Sequence, residues 1–84
     1  MPTERFPLTA EIWTDLGPTP CFVQLEHVYS ARFVIDTGPP ASLDAPAHGM
    51  TSDGEMSWCD IGLFEGQRVY ARALEHDTVL VVSR

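Results

Sequence analysis

Arg68-Val69-Tyr70-Ala71-Arg72-Ala73-Leu74, then Glu75-His76-Asp77-Thr78, then Val79-Leu80-Val81-Val82 is the stretch whose reading decides the fold. In the first run Arg68, Tyr70, Arg72 and Leu74 alternate with Val69, Ala71 and Ala73. That spacing puts polar and apolar groups on opposite faces of a strand. The second run is apolar at every position, hence on both faces. With the short polar tip between them, Gly66 to Arg84 reads as a β-hairpin. A strand that is apolar on both faces needs cover on both, and a chain of 84 residues has little to spare. The expectation is a small β-domain that packs against something else.

Working outward from this stretch, proline and glycine cut the chain into short runs. Phe6, Leu8, Ala10 and Ile12 alternate with Pro7, Thr9 and Glu11, which predicts a first extended segment. Its prolines suit an edge position, where a missing N–H is tolerated. Trp13 to Leu16 closes that segment, and Gly17-Pro18-Thr19-Pro20 reads as a turn. Cys21, Val23 and Leu25, then Ala31, Phe33 and Ile35, each alternate with their neighbours and read as a second hairpin with its tip at residues 27–30. That tip lacks the Asn-Gly type of signal. Residues 37–53 hold Gly38, Pro39, Pro40, Pro46 and Gly49 without any sustained period, which reads as a long Pro/Gly-rich loop. Asp53-Gly54 is a turn signal, and Glu55 to Ile61 a strand with Met56 and Trp58 on one face. The sum is one all-β domain over residues 1–84, a small antiparallel sandwich or barrel of about six to seven strands with no significant helix. Leu25-Glu26-His27 and Leu74-Glu75-His76 echo one another, but their flanks do not, and three residues are a coincidence.

Composition bounds the function. A domain of this length buries only about 60–65% of its unfolded surface, so its stability margin is thin. The usual supplements are disulfides, a metal or self-association. Cys21 and Cys59 stand far apart in the chain and suit two reduced thiols better than a disulfide framework. Twelve acidic residues face five basic ones, all arginine, for a net charge of -7. Such a chain is repelled by phosphate backbones and by anionic membrane surfaces, which excludes nucleic acid and membrane as partners. The start of the chain has neither the charge nor the apolar run of a signal peptide, and Val79 to Val82 is too short to span a bilayer. These features predict a soluble protein made in a cytoplasm.

No residue pattern carries catalytic chemistry. His27 and His76 stand beside Glu26, Glu75 and Asp77, but at predicted tips where polar groups are expected in any case. His48 sits in the long loop. No His-Glu-x-x-His or Cys-x-x-Cys pattern fixes a ligand geometry, so neither a metal nor a cofactor is expected. Neither cysteine has a cation beside it in sequence to activate it, no serine occupies a Gly-x-Ser-x-Gly elbow, and the prolines of residues 38–40 remove the donors of a phosphate loop. The reading is of a protein that is not an enzyme. Trp13, Trp58, Tyr29 and Tyr70 are core or interface residues, or else a stacking platform for sugars. Arg68, Tyr70 and Arg72 share one strand face and are residue types enriched at protein interfaces. Together with Val79, Leu80, Val81 and Val82 they form the candidate interface, with a solvated face as the alternative for the Arg/Tyr set.

Trp13-Thr14-Asp15-Leu16-Gly17, Phe22-Val23-Gln24, the Gly38-Pro39-Pro40 loop, Gly66-Gln67-Arg68-Val69-Tyr70-Ala71-Arg72-Ala73 and the closing Thr78 to Val82 look like short proteins of tailed-bacteriophage structural modules. These resemble capsid decoration or cement proteins, head fibres and tail-fibre accessory domains. The likeness runs over most of the chain as a pattern of strand ends and turns, and it departs at the two cysteines and Trp58. It implies a virion component that binds other virion proteins in symmetric copies and is located in the particle. No functional residue carries across. The alternative is a small carbohydrate-binding β-module at a receptor-binding tip, which requires Trp13, Trp58 or Tyr29 exposed and coplanar. A small metal-dependent β-barrel enzyme is the third and weakest reading.

Overall fold

The computed structural model describes residues 3–26, 30–51 and 58–84. Among them are eight strands and no helix: β1 (Thr3–Leu8), β2 (Thr14–Pro18), β3 (Cys21–Leu25), β4 (Ser30–Asp36), β5 (His48–Thr51), β6 (Trp58–Ile61), β7 (Arg68–Ala73) and β8 (Thr78–Ser83). They form two four-stranded antiparallel sheets, one ordered β1-β8-β3-β6 and the other β2-β7-β4-β5. The all-β class is as the period-two spacing predicts, and the strand number slightly exceeds the expectation. The two additional strands are β2 and β5. β2 lies where Trp13 to Leu16 reads as the end of a segment and Gly17-Pro18 as a turn. It is an edge strand, so Pro18 removes no ladder bond that the sheet requires. β5 lies inside residues 37–53, so the irregular connection there shortens to residues 37–47. The strand at Glu55 to Ile61 is seen as β6, with residues 55–57, the Asp53-Gly54 turn and the tip at 27–29 outside the described residues.

Pairing corrects the two hairpins. β7 and β8 do not pair with each other; β7 lies between β2 and β4 in one sheet, and β8 lies between β1 and β3 in the other. β3 and β4 are divided in the same way. Both pairs of neighbours in sequence are therefore arches from sheet to sheet. Their inward faces meet across the core instead of lying side by side. The two arches touch through backbone bonds, Glu26 N–H to Val79 O at 3.0 Å and Leu74 N–H to Ser30 O at 3.1 Å.

The pairs β1–β8, β2–β7, β3–β6 and β4–β5 describe one long two-stranded ribbon. Rolling it brings β8 beside β3 and β7 beside β4. This is jelly-roll winding, in which two Greek keys close an eight-stranded sandwich. Advancing each strand by four positions exchanges the two sheets. The repeated Leu-Glu-His does not follow that exchange. Leu25 ends β3 inside the core, whereas Ala73 ends β7 there and Leu74 lies beyond it.

The core between the sheets is built from the inward set of each strand: Leu8, Leu16, Val23, Leu25, Phe33, Ile61, Val69, Leu80 and Val82 among others. At about 25 cal/mol per Å² of apolar area removed from water, each such side chain contributes on the order of 2 kcal/mol. A β-bulge between Asp15 and Gly17 sets Leu16 and Gly17 against the single residue Val69 and turns Leu16 inward. Gly17 has φ of 103°, and a Cβ there would stand 2.7 Å from a terminal nitrogen of Arg84. That guanidinium donates to Leu16 O and Pro18 O. Only glycine meets both conditions. No helix among the described residues is long and apolar enough to cross a membrane.

Candidate protein-binding surfaces

The outward face of the β2-β7-β4-β5 sheet holds the residues singled out by alternation. Arg68, Tyr70 and Arg72 stand in one row on β7, opposite Asp36, Val34 and Arg32 of β4. They share a face, but two of the three are not open to solvent. Tyr70 is 5% and Arg72 9% exposed, and Val34 beside them is buried too. At Arg72 the cover comes from two connections of the same chain, residues 9–13 and 37–47.

Arg72 fastens both. Its Nη1 donates to Ala10 O at 3.3 Å and to Ala73 O at 3.1 Å, and its Nη2 donates to Leu43 O at 3.0 Å. The indole of Trp13 lies 5.5 Å from the guanidinium carbon, and its own N–H donates to Ser42 O at 3.0 Å. A charged group this desolvated is held by charge-assisted bonds to carbonyls and by the ring's negative face. Arg68 is spent as well: its Nε donates to the Asp15 carboxylate, at 3.1 Å to Oδ2. Both members of that pair are half-exposed, so the bond fixes geometry more than it stabilises.

β8 presents the opposite case. Leu80 and Val82 are 0% and 1% exposed in the core, while Val79 and Val81 are half-buried on the outward face of the β1-β8-β3-β6 sheet. The four candidate contacts of β8 thus divide: two belong to the interior and two remain at the surface. Arg5 reaches from β1 across β8 to the carboxylate of Glu26 at the end of β3, so one ion pair straddles the outward valines. Arginine stems cover apolar area in this manner while the head stays wet.

Farther along the same face the aromatic rings are uncovered. Trp58 of β6 is 60% exposed and stacks on Phe22 of β3 with ring centroids 5.4 Å apart and an 18° angle between planes. Gln24 is opposite Trp58 in the register and Asp60 is opposite Phe22. Val79, Val81, Phe22 and Trp58 thus share one outward face as a band over three neighbouring strands, divided by Gln24, which is opposite both Val81 and Trp58. Alternation alone does not find this band, because its members come from three runs that are distant in sequence.

The groups with other chemistry do not converge. His48 packs against Phe33 with ring centroids 5.2 Å apart, His76 lies exposed in the β7–β8 connection, and His27 is outside the described residues. Among the described residues no group of three or more His, Cys, Asp or Glu is placed to hold a metal ion. Cys21 and Cys59 are free thiols on β3 and β6. Burial pushes the Cys21 thiol up from its ordinary value, and the nearby Arg84 guanidinium offsets only part of that. A thiol shifted in this direction is a weak nucleophile near neutral pH. Trp13 is engaged by Arg72 and Ser42, and Tyr29 is outside the described residues; among the described aromatic residues considered for a sugar platform, Trp58 is the one displayed. Comparison with protein-family models, with curated proteins and with solved structures finds no match.

Proposed function

We propose that this protein is a non-catalytic interaction protein, a component of a tailed-bacteriophage particle of the capsid-decoration or tail-accessory kind. In this reading it binds other virion proteins and is present in symmetric copies. The observation that carries the interaction reading is the exposed Trp58 stacked on Phe22, on the same outward face as the half-buried Val79 and Val81. A displayed aromatic pair on a small domain suits a surface that is covered in the working state, and tryptophan is the residue type most enriched at binding hot spots. The Arg5–Glu26 ion pair on this face is already closed within the chain, which leaves Asp60, among the described residues, as the carboxylate nearest the aromatic pair. The particle assignment rests on the resemblance of strand ends and turns described above.

The test is the mass of the native species by size-exclusion chromatography with light scattering. The single chain is 9.3 kDa, and a dimer or larger assembly is expected. Trp58→Ser should weaken that assembly by about 2 kcal/mol or more. A wild-type chain that stays monomeric at high concentration overturns self-association, and an assembly indifferent to Trp58→Ser overturns this face as the contact. Neighbouring genes that encode capsid or tail proteins support the particle assignment, and their absence counts against it.

The exposure of Trp58 also favours the second reading, a carbohydrate-binding module, with Gln24 and Asp60 beside the ring as hydrogen-bonding partners for hydroxyls. Binding on a glycan array that Trp58→Ser abolishes would establish it. A blank array with an intact oligomer would exclude it.

A further inference from the structure

A second surface adjoins the aromatic band at Asp60, where the edge strands β5 and β6 meet the β6–β7 connection. They bound a cleft of about 250 Å³ whose apolar walls are Phe33, Ile35, Ile61 and Phe64. Its opening includes the exposed His48 and Asp60 and widens toward Glu65. Leu63 and Phe64, beside the cleft, are 68% and 49% exposed.

The backbone carrying Phe64 is not loose. The Thr19 hydroxyl donates to Phe64 O at 2.8 Å and accepts from Phe64 N–H at 2.9 Å. Gln67 N–H donates to the same Phe64 O at 2.9 Å, and Thr19 N–H donates to Gln67 O at 3.1 Å. Gly66, with φ of 76°, supplies the left-handed residue that this turn requires. Thr19 itself is buried. An apolar side chain held outward by a braced turn has already surrendered the backbone freedom that binding would otherwise cost.

Charge selects what fits. Asp60 and Glu65 line the cleft and no arginine does. Four of the five arginines are committed to their own chain: Arg5 to Glu26, Arg68 to Asp15, Arg72 to three carbonyls and Arg84 to two. A second copy, with four of its five arginines held in this way, offers few cations to these acids. We infer that the cleft is a docking site for a partner segment that carries an apolar anchor flanked by arginine or lysine. The anchor seats against Phe64 and Ile35, and the flanking cations face Asp60 and Glu65. This rests on the reading of the chain as an interaction protein and names a second contact, which meets the aromatic band at Asp60 and adds Glu65 and the apolar walls of the cleft.

The experiment titrates the ¹⁵N-labelled full chain with an acetylated octapeptide of alternating arginine and leucine, and with its glutamate–leucine counterpart. Backbone amide shifts are followed by NMR. The basic peptide should move the amides of residues 62–66 and of Ile35 and His48, and the acidic peptide should move none. Phe64→Ser, which leaves every charge in place, and the pair Asp60→Asn with Glu65→Gln, which leaves the apolar wall in place, should each weaken binding at least tenfold. Leu63→Ser serves if Phe64→Ser disturbs the spectrum as a whole. Glu75→Gln, at the opposite end of the sandwich, should leave binding unchanged. Equal binding of both peptides, shifts centred on β8 and Trp58, or no shifts at millimolar peptide would each overturn the proposal. Failure here with the native oligomer intact removes the cleft alone. A bound peptide on a strictly monomeric chain removes self-association through the aromatic band and leaves the cleft standing.

Discussion

The two outward faces of the sandwich are made by the same alternation and end in opposite states. On the β2-β7-β4-β5 sheet, Val34, Tyr70 and Arg72 point away from the core and are nonetheless buried, and residues 9–13 and 37–47 close over Arg72. On the β1-β8-β3-β6 sheet, the strap of Arg5 and Glu26 is what the described residues place across Val79 and Val81, and Trp58 is 60% exposed. The difference lies in the connections. One long Pro/Gly-rich segment covers part of one sheet, and among the described residues no comparable segment covers the other. Pointing outward and being available to a partner are therefore separate properties in this molecule.

The largest effect that would break this contrast comes from truncating a residue on each face. Tyr70→Ala should cost the fold about 3–5 kcal/mol, read from denaturant midpoints, because its ring is packed by its own chain. Trp58→Ser should change the stability of the separated chain by no more than about 0.5 kcal/mol. If the two costs came out alike, the distinction between a covered and an uncovered face would fail.

A smaller effect tests what holds the cover in place. Arg72→Met keeps much of the stem and removes the donors to Ala10, Leu43 and Ala73. It should cost about 1–3 kcal/mol and speed amide hydrogen exchange in residues 9–13 and 37–47 more than in β3 or β8. Uniform acceleration across both sheets would mean that Arg72 does not act as the fastener.

The smallest effect is on the inner side of the uncovered sheet. Folding raises the Cys21 thiol above its ordinary value. Below that ordinary value the thiol is neutral in both states and burial carries no ionisation cost. As pH rises past it, the unfolded chain loses the proton while the folded chain retains it, so stability falls between the ordinary and the raised value. Cys21→Ala should flatten this alkaline decline relative to wild type. Identical pH profiles would show that burial at Cys21 is not linked to folding.

How much of this was legible in the residues follows from the range of each interaction. Period-two alternation is local, so the strand character of β3, β4, β7 and β8 and the inward sets Val23/Leu25 and Val69/Ala71/Ala73 are all visible in the chain. Sheet membership is not local. Four polar residues at 75–78 join two alternating runs equally well as a hairpin tip or as an arch, and neither tip carries the Asn-Gly signal that would select the hairpin. β2 was hidden because Gly17 and Pro18 read as turn residues, while a bulge and an edge position make both acceptable within a strand. The Arg68/Tyr70/Arg72 row was visible as a row. Its burial was not, since that depends on carbonyls of residues 10 and 43 meeting a guanidinium at 72. The band around Trp58 escaped for the same reason, being assembled from β3, β6 and β8.

The rolled ribbon has a further consequence, in the order of synthesis. β1 finds its sheet partner only in β8, β2 only in β7, and β3 only in β6 and β8. When the ribosome has finished β5, a single native strand pair, β4–β5, can exist, and most apolar alternation in the nascent chain is still without a mate. Assembly must wait for the last strands to emerge, and loop closure over most of the chain makes that step slow. During this interval the unmatched segments are open to pairing with other chains, so yield in an expressing cell should depend on protein concentration and chaperones before it depends on the stability of the finished sandwich.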